Sequence, residues 1–398
     1  MQPPATFMDA YRPSLRGHRH MTSAGHYLAA QASFQVMEAG GNAIDGGVAA
    51  GITLGVVQSE LVGVAGVAPI IIYLAEEDRV VTISGLGTWP RATDPAFFAR
   101  EYPESVPEGI LRCIVPAAPA AWIKALELYG TMTFGEVAAA AINLATDGFI
   151  MYALMAEVVE GKAKKYARWP SNSEIYLPGG RAPKVGENFR QVDVGKSLQY
   201  MADCEAASNG DRVAGLKAAR DAFYKGDIAQ KIAAYHKDNN GLIGLDDLAD
   251  FEVEVEDALS VDVAGTKIYS CGPWCQGPML LQIMQLLEGR NIAAMGHNSA
   301  AHIHHVTEAV KLAVADRERW YGDPRFVDVP MDWLLSEDYA AQRRAMIDPE
   351  KAWPGMPPSG DPKLAQPAPK LTPLDALDTS YACAIDAKGN IFSATPSD

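Results

Sequence analysis

The sequence predicts an α+β fold with mixed sheets, on three features of its patterning. Apolar residues recur at helical spacing from Gly25 to Gly55 and again through the middle of the chain. Short β-branched runs, Pro69–Leu74 and Arg79–Ile83, are separated by acidic turn residues. A second pair of runs, Tyr381–Ile385 and Ile391–Ala394, flanks the turn-forming Asp386-Ala387-Lys388-Gly389-Asn390 near the end of the chain.

In chain order, Gly40-Gly41-Asn42 interrupts the first helical stretch as a C-cap, and a second helix is expected to start at Asp45. The runs at Pro69–Leu74 and Arg79–Ile83 then read as a hairpin. Ala117–Tyr129 and Phe134–Thr146 are predicted helices ended by Gly130 and Gly148, and Ala214–His236 is one long amphipathic stretch. Leu259–Ser270 alternates as a strand, Gln276–Glu288 and Ala300–Arg319 read as helices, and the terminal hairpin closes the chain. Met356–Pro373, rich in Pro, Lys and Gly and without periodicity, reads as an exposed linker leading to Asp378-Thr379, with 356–378 as the linker region.

At 398 residues with 48% hydrophobic side chains, the chain can fill one large core or two ordinary ones. Its longest apolar run falls far short of the roughly 20 residues of a membrane-spanning helix, so no membrane partner is expected. A net charge of −15 repels phosphate backbones and anionic lipid, which argues against nucleic acid. Residues 1–21 carry basic side chains without an apolar stretch, and the five cysteines are sparse and odd in number. Both features point to a cytoplasmic protein with reduced thiols.

Four ordered stretches carry a resemblance. They are Glu38-Ala39-Gly40-Gly41-Asn42-Ala43-Ile44-Asp45 with Val48-Ala49-Ala50; Gly226-Asp227-Ile228-Ala229 with Gly241-Leu242-Ile243 and Leu245-Asp246-Asp247-Leu248; Glu308 to Arg317 running into Tyr321-Gly322-Asp323-Pro324; and Asp378-Thr379-Ser380-Tyr381 with Ile385-Asp386 and Gly389-Asn390. Together they resemble the γ-glutamyltransferase family of N-terminal-nucleophile hydrolases, over roughly Gly25 to the end. The resemblance implies a four-layer αββα sandwich, and a precursor that cuts itself into a large subunit, here 1–378, and a small subunit beginning with 379–398. It implies no cofactor. Its partners would be the small subunit of the same precursor and a small-molecule amide, with room for a higher oligomer.

The resemblance marks the Asp378–Thr379 bond as scissile and Thr379 as the nucleophile. A threonine hydroxyl needs a base beside it, and a threonine at a new chain terminus carries one in its own α-amine. Ser397, eighteen residues on, stands where the family has a hydroxyl that hydrogen-bonds the nucleophile; read by itself it is a turn residue after Pro396.

The sequence also departs from the family. Members acting on glutathione hold the substrate α-carboxylate with an Arg shortly after the early hairpin, where this chain has Ser84-Gly85-Leu86-Gly87-Thr88-Trp89-Pro90. Leu86 and Gly87 cannot supply the charge-assisted hydrogen bonds of a guanidinium, so γ-glutamyl recognition should weaken. Arg91 either swings into that role or sits past the site on a surface turn. Cys271-Gly272-Pro273-Trp274-Cys275-Gln276-Gly277 replaces a run of Pro, Ser and Gly, and Trp274 is either an aromatic wall for a substrate or plain packing. The family's glycine-rich stretch is altered to Gly63-Val64-Ala65-Gly66-Val67-Ala68. The sequence ends twenty residues into the small subunit, so either the rest comes from another chain or the cut falls after Asp398.

His302, His304, His305 and Glu308, with Cys271 and Cys275, match no tight zinc spacing, and no metal is expected. Lys162-Ala163-Lys164-Lys165 reads as a solvated face, and neither a phosphate loop nor a dinucleotide fingerprint occurs. The resulting expectation is an autoprocessing amidohydrolase acting on a small acyl or acid-amide substrate through an acyl-enzyme on Thr379. The alternatives are a true γ-glutamyl hydrolase or transpeptidase, and a non-catalytic relative.

Overall fold

The structure, a computed structural model, describes residues 14–208, 211–360 and 379–398. They fall into two compact units, the first comprising described residues up to 79, from 85 to 254 and from 379 to 398, the second comprising 80–84 and 255–360.

The first unit is built on four antiparallel strands in the order Met21–Ala24, Ala382–Ile385, Ile391–Ala394, Ile70–Leu74. Ala384 lies opposite Thr22 on one side and Phe392 on the other, and Phe392 lies opposite Ile72. The terminal hairpin therefore sits between strands from the first 74 residues of the chain, and its inward residues Ala382, Ala384, Phe392 and Ala394 are buried.

Against this sheet lies the helix Ala43–Val57, every residue of which is buried. Glycines inside it cost helix propensity, and Gly47 shows what offsets that cost: a Cβ there would stand 2.0 Å from the Phe392 ring. The predicted break at Gly40 is real, with φ +108° at that residue. The second helix, however, starts at Ala43, two residues before the expected Asp45, because Asn42 is its N-cap. The Asn42 side chain accepts from Ile44 N and Asp45 N at 2.9 and 3.0 Å, while Asp45 accepts from Asn42 N at 2.9 Å. Asp45 also receives the amides of Thr131 and Met132 and, at 2.6 Å, the Thr131 hydroxyl. This fully buried carboxylate thus ties one helix start to the loop before another, and the Gly-Gly-Asn-Ala-Ile-Asp stretch carries architecture rather than chemistry.

Helices Ala118–Tyr129 and Phe134–Asp147 form as expected, the latter on a Thr133/Glu136 capping box. The long stretch Ala214–His236 is instead two helices, Arg212–Tyr224 and Asp227–Asp238. Gly226 adopts an extended backbone between them, while Tyr224 is pinned inside by its hydroxyl donating to Pro116 O at 2.7 Å. The helix Val192–Ala207, which packs on Phe134–Asp147, has no counterpart in the sequence reading.

In the second unit, Val81 and Ile83 pair with Asp257 and Val255. The single strand expected over Leu259–Ser270 is a hairpin, Leu259–Val263 with Thr266–Ser270, turned by Ala264 and Gly265 at φ 50° and 78°. Helices Pro278–Leu287, Ala300–Trp320 and Glu337–Arg344 surround a core containing Leu286, Leu312 and Ile347. Inside it Asp316 meets Arg343 at 3.1 Å, with both side chains almost fully buried. Gly360 N donates to Asp316 at 2.9 Å and Arg343 to Pro358 O at 2.9 Å, so residues 356–360, the start of the segment read as a linker, are held against this pair. The remainder, 361–378, with Asp378, lies outside the described residues. Among the described residues, no helix is long and apolar enough to cross a membrane.

Candidate active site

Thr379 and Ser397 sit at the two open ends of the terminal hairpin, where antiparallel pairing resumes past the strands, in the same register, as an isolated bridge between them. The bridge places Thr379 Oγ1 3.2 Å from Ser397 Oγ, with Thr379 exposed. Hairpin register sets this pairing. The turn Asp386–Asn390 is closed by Asp386, which accepts from Lys388 N and Asn390 N, so residues 379 and 397 come to lie opposite one another.

The loop Gly63–Val67 wraps the other side of Ser397. Val67 and Ser397 exchange backbone hydrogen bonds at 3.3 and 3.1 Å, and Gly63 N donates to Ser397 O at 3.3 Å. A Cβ on Gly66 would lie 2.1 Å from Ser397 O, so this position admits only glycine without displacing the hydroxyl residue. The glycine-rich stretch is therefore a cradle for Ser397.

Behind Thr379, the Ser380 hydroxyl is buried and donates to Gln58 Oε1 at 2.6 Å. Gln58 Nε2 donates to Gly25 O at 3.3 Å, and the same amide bonds the Tyr152 hydroxyl, which in turn donates to Glu60 Oε1. Glu60 is 6% exposed, and its second oxygen is buried without a hydrogen-bond partner among the described residues. Burial pushes its carboxyl above the usual carboxylate range despite the Tyr152 hydrogen bond, and burial with the neighbouring Glu60 pushes the Tyr152 phenol up. His26, whose ring lies 4.8 Å from that of Tyr152, is pushed down by burial. Gln58, Glu60 and Tyr152 were missed by the sequence reading, which had no periodicity or motif to bring residues so distant in sequence together.

The window after the early hairpin is held by backbone. Ala68 N donates to Gly85 O at 2.8 Å and Val115 N to Thr88 O at 2.9 Å, so Leu86 and Gly87 run beside the residue that follows Val67. Gly85 has φ +51°, and a Cβ on Gly87 would stand 2.1 Å from Val115 O. Arg91 does not join them. Its guanidinium is paired with Asp250 at 2.7 Å and its amide with Asp247 at 3.0 Å on an exposed turn, an arrangement that raises its already high pKa. Trp274 belongs to the second unit, where its indole donates to Glu256. The histidines of Ala300–Trp320 have separate partners: His302 accepts from Asn298 N, His304 meets Asp348 O, and His305 meets Ala301 O. Glu308 is bound to Lys311 at 2.7 Å.

The gamma-glutamyltranspeptidase family model matches residues 29–397. The chain belongs to the gamma-glutamyltranspeptidase family. It is 31% identical over 394 residues to the acylase ACY 1 proenzyme of Pseudomonas sp. (strain SE83), covering 95% of this chain and 65% of that protein. It is 30% identical over 383 residues to the glutathione hydrolase-like YwrD proenzyme of Bacillus subtilis (strain 168), covering 96% and 67%. Among solved structures, the cephalosporin acylase from Bacillus halodurans aligns with a TM-score of 0.80 at 25% identity, over 100% of this chain and 69% of that one. The chain thus spans about two thirds of the length of these family members. Its α+β fold is the N-terminal-nucleophile hydrolase fold of the gamma-glutamyltranspeptidase family. The ordered motifs of the sequence had indicated that fold.

Proposed function

We propose that this chain is the greater part of an autoprocessing amidohydrolase whose nucleophile is Thr379. The observation that carries the reading is the 3.2 Å approach of the Thr379 and Ser397 hydroxyls at an exposed hairpin end. In the precursor, Thr379 Oγ1 attacks the carbonyl carbon of Asp378, the peptide C–N bond breaks, and water hydrolyses the resulting ester. Thr379 is left with a free α-amine. That amine then takes the hydroxyl proton as Oγ1 attacks a substrate amide and returns a proton to the leaving amine. Water releases the acid from the acyl-enzyme, and an amine in its place gives transfer. Ser397 steadies Oγ1 through the shared hydrogen bond. The partner implied is a small subunit from the same precursor, a reading supported by relatives named as proenzymes.

The substrate is a small acyl or acid amide rather than a γ-glutamyl compound. Support comes from the uncharged Leu86-Gly87 window, from the engagement of Arg91 with Asp250, and from the likeness to an acylase proenzyme. The likeness to a glutathione hydrolase-like protein supports the second reading, a γ-glutamyl hydrolase or transpeptidase. The reading includes a cytoplasmic location, which the five free cysteines support. The test is to express the full-length precursor with and without Thr379→Ala, follow the cut by mass and N-terminal sequencing, and compare acyl-p-nitroanilides with γ-glutamyl-p-nitroanilide. A new terminus at Thr379, absent in the variant, with faster acyl turnover supports the proposal. Preferred γ-glutamyl turnover favours the second reading, and an intact precursor favours a non-catalytic relative.

A further inference from the structure

The segment Cys271-Gly272-Pro273-Trp274-Cys275-Gln276-Gly277 links the strand Thr266–Ser270 to the helix Pro278–Leu287, and its backbone doubles back on itself. Cys275 N donates to Gly272 O at 3.3 Å, closing a turn. A Cβ on Gly277 would lie 3.2 Å from the backbone of Cys271. This fold-back makes the two thiols neighbours, near enough for each to shift the titration of the other. The Cys275 sulfur also accepts from Gly277 N at 3.3 Å, and its S–H donates to Gly272 O at 3.6 Å. Cys275 further lines an open cavity of ≈310 Å³ with Trp274, Gln276, Arg317 and Tyr321. The thiols differ in character. The hydrogen bonds from Cys271 and Gly277 push Cys275 down against burial and the Glu256 charge, whereas its contact with Cys275, burial and Glu256 push Cys271 up. Neither thiol belongs to the site at Thr379, and both are free.

We propose that Cys271 and Cys275 form a redox-active dithiol, with Cys275 attacking small-molecule disulfides from the cavity and Cys271 resolving the product into an internal disulfide. In the first step the Cys275 thiolate forms a bond to one sulfur of the reagent, and the other sulfur leaves as a thiolate. In the second, Cys271, no longer hydrogen-bonded to an anionic sulfur, loses its proton to solvent and attacks Cys275 Sγ. The remaining half of the reagent departs as a second thiolate. Two protein thiols are oxidised while one disulfide is reduced to two thiols. The closed form locks the turn that holds Trp274 on Glu256.

The experiment treats the full-length protein with 2,2′-dithiodipyridine, traps remaining thiols with N-ethylmaleimide and maps tryptic peptides. Cleavage after Lys267 and Arg290 isolates both cysteines in one peptide free of the other three. The expected peptide is lighter by two hydrogens, bears no adduct and is reopened by dithiothreitol. Cys271→Ser should leave a stable thiopyridyl adduct on Cys275, and Cys275→Ser should slow reaction at Cys271 by roughly tenfold. Unchanged reactivity of Cys113, Cys204 and Cys383 verifies that each variant is folded. A wild-type peptide with maleimide on Cys271, whether Cys275 carries thiopyridine or maleimide, overturns the proposal.

Discussion

Thr379 Oγ1 and Ser397 Oγ lie 3.2 Å apart across the open end of one hairpin, eighteen residues apart in sequence. On the proposed mechanism, Ser397→Ala removes a hydrogen bond to the attacking oxygen and leaves the strand pairing intact. Self-cleavage and amide turnover should each fall on the order of 10-fold, the kinetic equivalent of about 1.4 kcal/mol. Thr379→Ala should abolish both, and Thr379→Ser should retain cleavage. Quantitative mass spectrometry of the processed fraction over time measures this, and unaltered cleavage in Ser397→Ala would remove Ser397 from the mechanism.

Gly66 gives a second test. A Cβ there would press 2.1 Å from Ser397 O, so Gly66→Ala must displace either the loop or Ser397. Slower processing is expected with the thermal midpoint lowered by a few degrees, whereas Val64→Ala in the same loop should process normally. Equal processing by the two variants would show that the cradle does not set the position of Ser397.

Glu60 makes stability depend on pH. Burial raises its folded pKa above 4.5, so near and above that pH the folded state keeps a proton that the unfolded chain releases. The stabilisation linked to this proton is complete below the unfolded value and is lost as pH rises through the folded one. Glu60→Gln keeps an oxygen for the Tyr152 hydroxyl but has no proton to lose. The variant should gain on the wild type between pH 4 and pH 7, by roughly 2–4 °C in Tm for each kcal/mol. A Tm difference that stays constant across this range would contradict the assignment.

Asp45 is fully buried and accepts hydrogen bonds from the amides of Asn42, Thr131 and Met132 and from the Thr131 hydroxyl. Asp45→Ala leaves those donors unsatisfied inside the protein and should cost about 3 kcal/mol or more. Chemical denaturation followed by circular dichroism measures the loss. A change below 1 kcal/mol would mean that the donors find other partners.

Arg91 offers the opposite outcome. Its pair with Asp250 is exposed on both sides, so Arg91→Ala should change stability by less than about 1 kcal/mol. If the window at Leu86 and Gly87 works without a cation, the variant should also keep its kcat/KM on acyl amides. A large rise in KM confined to anionic substrates would instead give Arg91 the role of a carboxylate clamp.

Much of this molecule is written in local sequence. Gly40-Gly41-Asn42 ends one helix and caps the next within three residues, the Asp386–Asn390 turn fixes the terminal hairpin, and that register puts Thr379 opposite Ser397. Each depends on neighbours a few positions away, where backbone geometry leaves few options. Local pattern failed where packing overrode it. Ala214–His236 has continuous helical periodicity, yet the chain breaks at Gly226, with Tyr224 anchored inside by Pro116 O. Leu259–Ser270 alternates throughout, yet it turns at Ala264 and Gly265 because only a hairpin gives both halves a partner.

By itself the sequence indicated the fold class and the family, because these rest on motifs in fixed order, and its terminal turn set Thr379 opposite Ser397. Only the tertiary structure decided that Gly66 cradles Ser397, that Gln58, Tyr152 and Glu60 stand behind Ser380, and that Arg91 is engaged by Asp250. The physical reason is that these contacts join residues distant in sequence, Gln58 and Ser380 lying 322 positions apart, and that the burial and polar pairing they depend on exist only once the chain has closed.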